Sequence, residues 1–342
     1  MIKPQNRIAR FIPVILIGLL ALPATAADKL PAAKAGAIAS PTGRIAFLRE
    51  KHVYIMDATG GHQMMISQVG NGDGRLSWAP DGKRIAFTRS GIARVEQPDQ
   101  TGGHHKIYDI FIAYVDSAMA GNTNFWYRIT EGVGARDPEW SIDGKTIIYY
   151  KDMNANFVAS YEPNYQICIM TNPESGNEEL LRRDWQNMTE FLIAPTMNAA
   201  GDIVFVHMVK GSEGTYRHQG LAKLSRNNFM ASLTEIGKQS AANSGLVAPA
   251  WSPDGQWIAC VSNKMESPGI YLLPADLSER YLVFAPPPGA QSLYSFAPSF
   301  SPDSKWLTFS TADGSIWICD ITGNGAKRLT GPGQDKAPAW SK

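Results

Sequence analysis

Three cysteines in 342 residues, with no Cys-x-x-Cys spacing, provide neither a zinc ribbon nor a disulfide framework. Each lies inside an apolar stretch, Cys168 in YQICIM, Cys260 in WIACVS and Cys319 in SIWICD, and reads as a small buried hydrophobe. Charge of one sign is missing too. Lys+Arg 32 against Asp+Glu 31 gives a net charge of +1, which supplies no basic field for a nucleic-acid backbone. Gly-x-Ser-x-Gly, His-x-His and His-Glu-x-x-His are all absent, which argues against serine hydrolysis and gives no His-based metal motif. What is present is 44% hydrophobic and 10% aromatic residues with 31 Gly and 22 Pro. That composition suits a folded chain of short strands and tight turns rather than a helical bundle.

The first 26 residues read as a secretory signal. Lys3, Arg7 and Arg10 precede the apolar run FIPVILIGLLAL, and Ala24-Thr25-Ala26 supplies the small residues of a cleavage site. The run is shorter than the roughly 20 residues that span a bilayer, and no later segment is a candidate span. The expected organisation is a signal over 1–26, a short linker over 27–39 and one folded unit over 40–342. The expected location is the periplasm or the exterior, with no lipid anchor because no cysteine follows the apolar run.

Internal repeats decide the fold. LSWAPDGKRIAFTRS (76–90) recurs as PEWSIDGKTIIYYKD (138–152), PTMNAAGDIVFVHM (195–208), PAWSPDGQWIACVSN (249–263) and PSFSPDSKWLTFSTA (298–312). A sixth copy is split: SPTGRIAFLRE (40–50) lacks the first strand, and APAWSK (337–342) is only that strand. In each copy an aromatic or Met ends a short strand, a Pro-Asp-Gly type turn follows, and an alternating apolar strand begins, which is a β-hairpin. Third strands (HVYIMDA, YQICIMT, GIYLLPA, SIWICDI) and fourth strands (HQMMIS, FWYRIT, RYLVF, AKRLT) complete four antiparallel strands per unit. Successive turns, at Gly43, Gly82, Gly144, Gly201, Gly255 and Ser304, lie 39, 62, 57, 54 and 49 residues apart. One such sheet cannot bury both faces alone. Six around an axis can, so the sequence predicts an all-β, six-bladed propeller whose C-terminal strand closes the N-terminal blade.

The P-x-W-S-P-D-G-K-x-I-A-F repeat, best preserved at 249–259 and 78–87, resembles the repeat of TolB-type propellers over nearly all of the chain after the signal. The resemblance implies a non-enzymatic propeller that binds a partner protein or peptide at its axial face. TolB carries an α/β domain ahead of its propeller, and here about 15 residues separate the expected cleavage site from the first strand. Related blades also occur in dipeptidyl-peptidase-like propellers and in pectin-degrading lyases, so a metal-assisted uronate lyase or sugar-binding propeller is the alternative reading.

Strand order places the Asp-Gly turns on one face, called the bottom. The loops that enter first strands and leave second strands then share the top. Three second-to-third-strand connections, 91–106, 153–164 and 209–219, exceed the 2–6 residues that topology requires and fall on consecutive blades. Phe157, Tyr161, Tyr216, His104, His105 and His218 supply aromatic and hydrogen-bonding groups there. At the top ends of second strands align Arg49, Arg89, Lys151 and His207, then Ser262 and Thr311. Arg75, Arg136 and Lys336 sit just before inner strands, with Asp73, Asp137 and Asp335 interspersed. Together these predict a partly basic funnel for an anionic ligand, either an acidic peptide of an envelope protein or an acidic polysaccharide. No cofactor, metal or catalytic set is expected, and the molecule is expected to be a monomer.

Overall fold

The computed structural model describes residues 39–66, 70–95, 103–132, 134–154, 164–180, 190–211, 215–226, 245–262, 268–286 and 298–341, and within them leaves the side chains of 92–106 and 218–219 undescribed. Six small antiparallel sheets form a ring. Blade 1 pairs β1 (Arg44–Arg49), β2 (His52–Asp57) and β3 (Met64–Met65) with the C-terminal β23 (Lys336–Trp340) in the order β23-β1-β2-β3. Ile45 stands opposite Trp340 and Ala46 opposite Ala339, so the split copy closes the ring as expected.

Blade 2 holds β4 (Gly72–Trp78), β5 (Arg84–Val95), β6 (Gly103–Tyr114) and β7 (Trp126–Arg128), with a single-turn helix α1 (Val115–Met119) between the last two. Blade 3 holds β8 (Arg136–Trp140), β9 (Thr146–Asp152), β10 (Tyr165–Thr171) and β11 (Asn177–Leu180). Blade 4 has three strands among the described residues, β12 (Glu190–Met197), β13 (Asp202–Lys210) and β14 (Tyr216–Ser225). Blade 5 holds β15 (Leu246–Trp251), β16 (Trp257–Ser262), β17 (Gly269–Pro274) and β18 (Tyr281–Phe284). Blade 6 holds β19 (Ser299–Phe300), β20 (Trp306–Thr311), β21 (Ser315–Asp320) and β22 (Lys327–Arg328).

The repeated Ser-x-Asp-Gly turn has a hydrogen-bonding cause. Ser252 Oγ donates to Asp254 at 2.5 Å and accepts from Trp257 N at 2.9 Å, while the Asp254 carboxylate accepts from Gln256 N at 3.0 Å. Ser141 with Asp143, and Ser301 with Asp303, repeat the same clasp. Two short polar side chains thereby satisfy the backbone groups that the tight turn leaves over.

Alternate apolar residues of each blade pack against the next. One cluster joins Ile148, Ile167 and Ile169 of blade 3 to Leu192, Ile203 and Phe205 of blade 4, all fully buried. The three cysteines are fully buried, free thiols inside such clusters, and burial pushes each well above the ordinary thiol range. Inner strands are also stitched to neighbours by hydroxyls: Trp140 N donates to Ser77 Oγ, Trp251 N to Thr196 Oγ1 and Trp340 N to Ser299 Oγ, at 2.9–3.0 Å.

The inner strands of blades 1 to 5 carry a bulge at the same level, between Lys336 and Ala339, Asp73 and Leu76, Arg136 and Glu139, Ile193 and Thr196, and Val247 and Ala250. Left-handed residues mark it: Ala337, Gly74, Asp137, Ala194 and Ala248 have φ between 50° and 68°. In four of these blades a proline follows the left-handed residue. Blade 2 has Gly74-Arg75 instead. Gly74 is required twice over, by its φ of 68° and because the Asp137 carboxylate lies 2.3 Å from where a Cβ would stand.

Candidate functional site on the top face

Replacing the bulge proline with Arg75 changes the axis of the ring. The Arg75 guanidinium reaches from blade 2 to the Glu139 carboxylate of blade 3, to the Pro195 carbonyl of blade 4 at 3.0 Å and to the Pro249 carbonyl of blade 5 at 2.6 Å. The second Glu139 oxygen accepts from Thr196 Oγ1 at 2.8 Å. Both side chains are nearly buried, so the pair bridges four inner strands and has its bonding capacity used by the chain itself. On its bottom side lies a cavity of about 60 Å³ walled by Trp78, Trp251, Phe300 and Trp340.

A second arrangement runs over the top of blades 2, 3 and 4. The Arg136 guanidinium lies 3.5 Å from the Tyr108 ring centre and 6.0 Å from that of Tyr165. Tyr165 meets Tyr150 edge-on at 5.6 Å and Phe191 edge-on at 5.1 Å; Tyr216 then stacks on Phe191 at 3.5 Å with Lys210 Nζ 5.9 Å above it. Tyr150 and Phe191 are buried beneath, while Tyr108, Arg136, Tyr165 and Tyr216 are half-buried and form the surface. Burial works against the Arg136 charge, but Tyr150, Tyr108, Tyr165 and Asp137 favour it, and its pKa lies above the ordinary arginine value.

The long connections frame this band in a form that differs from the sequence expectation. Where described, segments 91–106 and 209–219 are strand rather than loop at 91–95, 103–106, 209–210 and 216–219. β5 and β6 stay in register through 12 pairs, from Arg84↔Tyr114 to Val95↔Gly103, whereas β1 and β2 make 6. β13 and β14 remain paired out to Lys210↔Tyr216. Added residues continue an existing hairpin because each new rung satisfies its own backbone groups. In blade 3, Met153 N donates to Asn164 O at 2.8 Å, and the Asp152 carboxylate accepts from Asn154 N and Asn164 N. These bonds draw together the two ends of the third segment, of which 155–163, with Phe157 and Tyr161, lies outside the described residues.

The cations aligned by the repeat occupy equivalent strand positions but separate surroundings. Arg49 makes a two-pronged pair with Asp335 at 2.7 Å for each contact, and that bond raises its pKa. Arg89 lies 5.5 Å from the Phe111 and Trp126 ring centres and donates to the Gly70 carbonyl at 3.2 Å; burial lowers its pKa. Lys151 pairs with Glu178, which also accepts from the Tyr149 hydroxyl. His207 is buried, its Nε2 3.6 Å from the Glu190 carboxylate, and neither ring nitrogen has a hydrogen-bond partner among the described residues. Lys336 begins the closing strand opposite Leu48. Arg75 lies at the axis, so among the expected residues that the structure describes, Arg136 and Tyr216 are the two brought into one band.

Register places His104 opposite Arg94 and His105 opposite Ala93, and His218 opposite Met208. Among the described residues, no group of three His, Cys, Asp or Glu is placed to hold a metal ion. Tyr108, Tyr165, Phe191 and Lys210 were not singled out from sequence. The available signal was their recurrence at the top ends of strands in three consecutive blades.

Repeats, blade order and the exchanged closing strand define a six-bladed β-propeller, and part of the chain is similar to TolB proteins. No family model matches the chain. A stretch of 99 residues is 30% identical to the Tol-Pal system protein TolB of Anaeromyxobacter dehalogenans (strain 2CP-C), covering 28% of this chain and 21% of that protein. The corresponding protein of Anaeromyxobacter sp. (strain K) is 32% identical over the same length. The chain thus spans about a fifth of the length of the curated relatives it matches. Among solved structures, TolB from Acinetobacter baumannii superposes on 87% of this chain and 66% of its own, with a TM-score of 0.59 at 17% identity. Hydrazine synthase of Kuenenia stuttgartiensis covers 88% of this chain and 47% of its own at TM-score 0.57 and 12% identity. Proteins of different activity share the fold, so the site has to carry the functional argument.

Proposed function

We propose that this is an exported, non-enzymatic propeller that binds a partner protein in the periplasm or outside the cell, through the top face of blades 2 to 4. One observation carries the reading: the half-buried rings of Tyr108, Tyr165 and Tyr216 form a band with Arg136 across three blades. Rings fixed on packed strands lose little freedom when covered, and Tyr and Arg dominate the energetics of protein interfaces. The paired hairpins of blades 2 and 4 flank the band and supply further area. Partial likeness to a Tol-Pal system protein supports a protein partner. The signal-like segment over 1–26 supports export, and among the described residues no helix is long and apolar enough to cross a membrane. Phe157 and Tyr161, expected from sequence on this face, lie outside the described residues, whereas Arg49 and Lys151 are committed to partners within the fold.

The test is affinity capture of the mature chain from its native envelope, with the captured protein identified by mass spectrometry. The double variant Tyr165→Ala, Tyr216→Ala should capture the partner at least tenfold less well, about 1.4 kcal/mol. Arg328→Ala, across the ring in blade 6, should match the wild type. Equal capture by the double variant removes this face from the reading. The mature chain should begin at Ala27, and recovery of the unprocessed chain from the cytoplasm would overturn export.

A further inference from the structure

Most cations of the upper face already have a carboxylate. Arg49 holds Asp335, Lys151 holds Glu178, Arg128 holds Glu131 and Asp109, and at the axis Arg75 holds Glu139. Arg136 differs. Among the described residues no carboxylate lies within ion-pair distance of its guanidinium, and its Nε is buried without a hydrogen-bond partner. The neighbouring Asp137 carboxylate is turned to the Arg75 backbone N–H at 2.8 Å. Lying over the Tyr108 ring, the guanidinium directs its N–H donors away from that ring; the Tyr150 hydroxyl accepts one of them, and the remaining terminal donors can meet a planar acceptor.

We propose that Arg136 is the anion-recognition point of the partner-binding face and takes the carboxylate of an acidic side chain in an extended peptide segment of the partner. The proposal rests on the functional reading above and adds the chemistry of the partner. A carboxylate matches the fork of a guanidinium in two parallel hydrogen bonds, and in a recess of tyrosine rings such a bond is screened less than at an open surface.

Ring spacing favours a peptide over a sugar acid. From Arg136 the band steps 6.0 Å to Tyr165, 5.1 Å to Phe191 and 3.5 Å to Tyr216. Alternate side chains of an extended chain stand about 6.7 Å apart on one face. A segment with its acid on Arg136 therefore sets its next same-face side chain over Tyr165 and the one after toward Tyr216. Because those rings pack edge-on or are covered from below, they suit apolar side chains lying across them. The segment so defined has the pattern acidic, any, apolar, any, apolar.

The probes are two synthetic peptides, acetyl-Glu-Ala-Leu-Ala-Phe-amide and the same peptide with Gln for Glu, and a trisaccharide of galacturonic acid. Binding to the mature chain is followed by side-chain NMR of the Arg136 Nε–H, assigned through Arg136→Gln. The acidic peptide should shift that resonance and bind at least tenfold more tightly than its Gln counterpart. Arg136→Gln should abolish the preference, and Arg136→Lys should restore only part of it. Arg89→Gln should leave it unchanged. Thermal melts of each variant, expected to match the wild type within a few degrees, exclude unfolding as the cause.

Equal binding of the two peptides, or a preference that survives Arg136→Gln, would overturn the proposal. A trisaccharide that displaces the acidic peptide and binds more tightly through Arg136 would overturn it in favour of a saccharide ligand. Capture of the envelope partner separates the two readings. If capture falls with Tyr165→Ala, Tyr216→Ala but not with Arg136→Gln, the face stands and the anion site fails. If capture is indifferent to every one of these changes, the partner-binding face itself fails.

Discussion

Arg75 and Arg136 lie on inner strands of adjacent blades and carry the same charge, yet their surroundings are opposite. Arg75 is saturated by Glu139 and two carbonyls drawn from three other blades. Arg136 is stacked on Tyr108, with Tyr165 nearby, and has no carboxylate of its own among the described residues. A buried cation that holds a structure together must be satisfied by that structure, since an unpaired buried charge is costly. A half-buried cation backed by rings can stay unpaired at modest cost, and pairing then becomes available to a partner. On the proposed reading the axis therefore serves stability and the top of blades 2 to 4 recognition.

Breaking the axis should cost most where a whole inner strand is lost. A chain ending at Asp335 removes β23, which leaves β1 unpaired on one edge and strips Trp340, Ala337 and Ala339 from two inter-blade clusters. Thermal unfolding followed by circular dichroism should lose its single cooperative transition. Trp340→Ala alone should cost about 3–5 kcal/mol. A melting temperature equal to that of the full chain would refute the closing role of this strand. Next in size, Arg75→Met strands the Glu139 carboxylate in the axis, and chemical denaturation should show a loss of about 3–5 kcal/mol. Arg136→Gln should cost only about 1 kcal/mol, the scale of the cation–ring contact it removes. Equal losses for the two arginines would erase the distinction between axis and recess.

The repeats made the fold legible because each blade is specified locally. The Ser-x-Asp-Gly clasp uses residues two to five apart, and the alternating strands that follow carry their burial pattern in the sequence. Even the split blade could be read, since APAWSK is a first strand without a second. The site was less legible because its partners are distant in sequence. Asp335 lies 286 positions from Arg49 and Glu139 lies 64 from Arg75, so alignment could not show which cations the fold commits to its own carboxylates. Arg75 did leave one trace, the replacement of the usual Xaa-Pro bulge by Gly74-Arg75 in blade 2. The hairpins of blades 2 and 4 were read as loops because Gly, Pro and Gln interrupt the alternating pattern, although pairing continues in one register in blade 2 and past a bulge at His207/Met208 in blade 4.

The smallest effect tests the same division at the bottom turns, where carboxylates serve the fold and should titrate with stability. Asp143 accepts from the Ser141 hydroxyl at 2.6 Å and from Lys145 N at 3.0 Å, and these bonds hold it below the ordinary aspartate value of 3.8. A depressed folded-state pKa means that the unfolded chain binds its proton first as pH falls. The contribution of Asp143 is therefore complete above about pH 5 and is lost as pH drops through and below 3.8. Because this carboxylate is exposed and screened, its size is about 0.5 kcal/mol. Asp143→Asn keeps the acceptor oxygen and removes the charge, so denaturation curves of variant and wild type should differ slightly at pH 7 and converge near pH 2–3. A deficit for Asp143→Asn that persists at pH 2–3 would show that this turn carboxylate does not serve the fold through its charge.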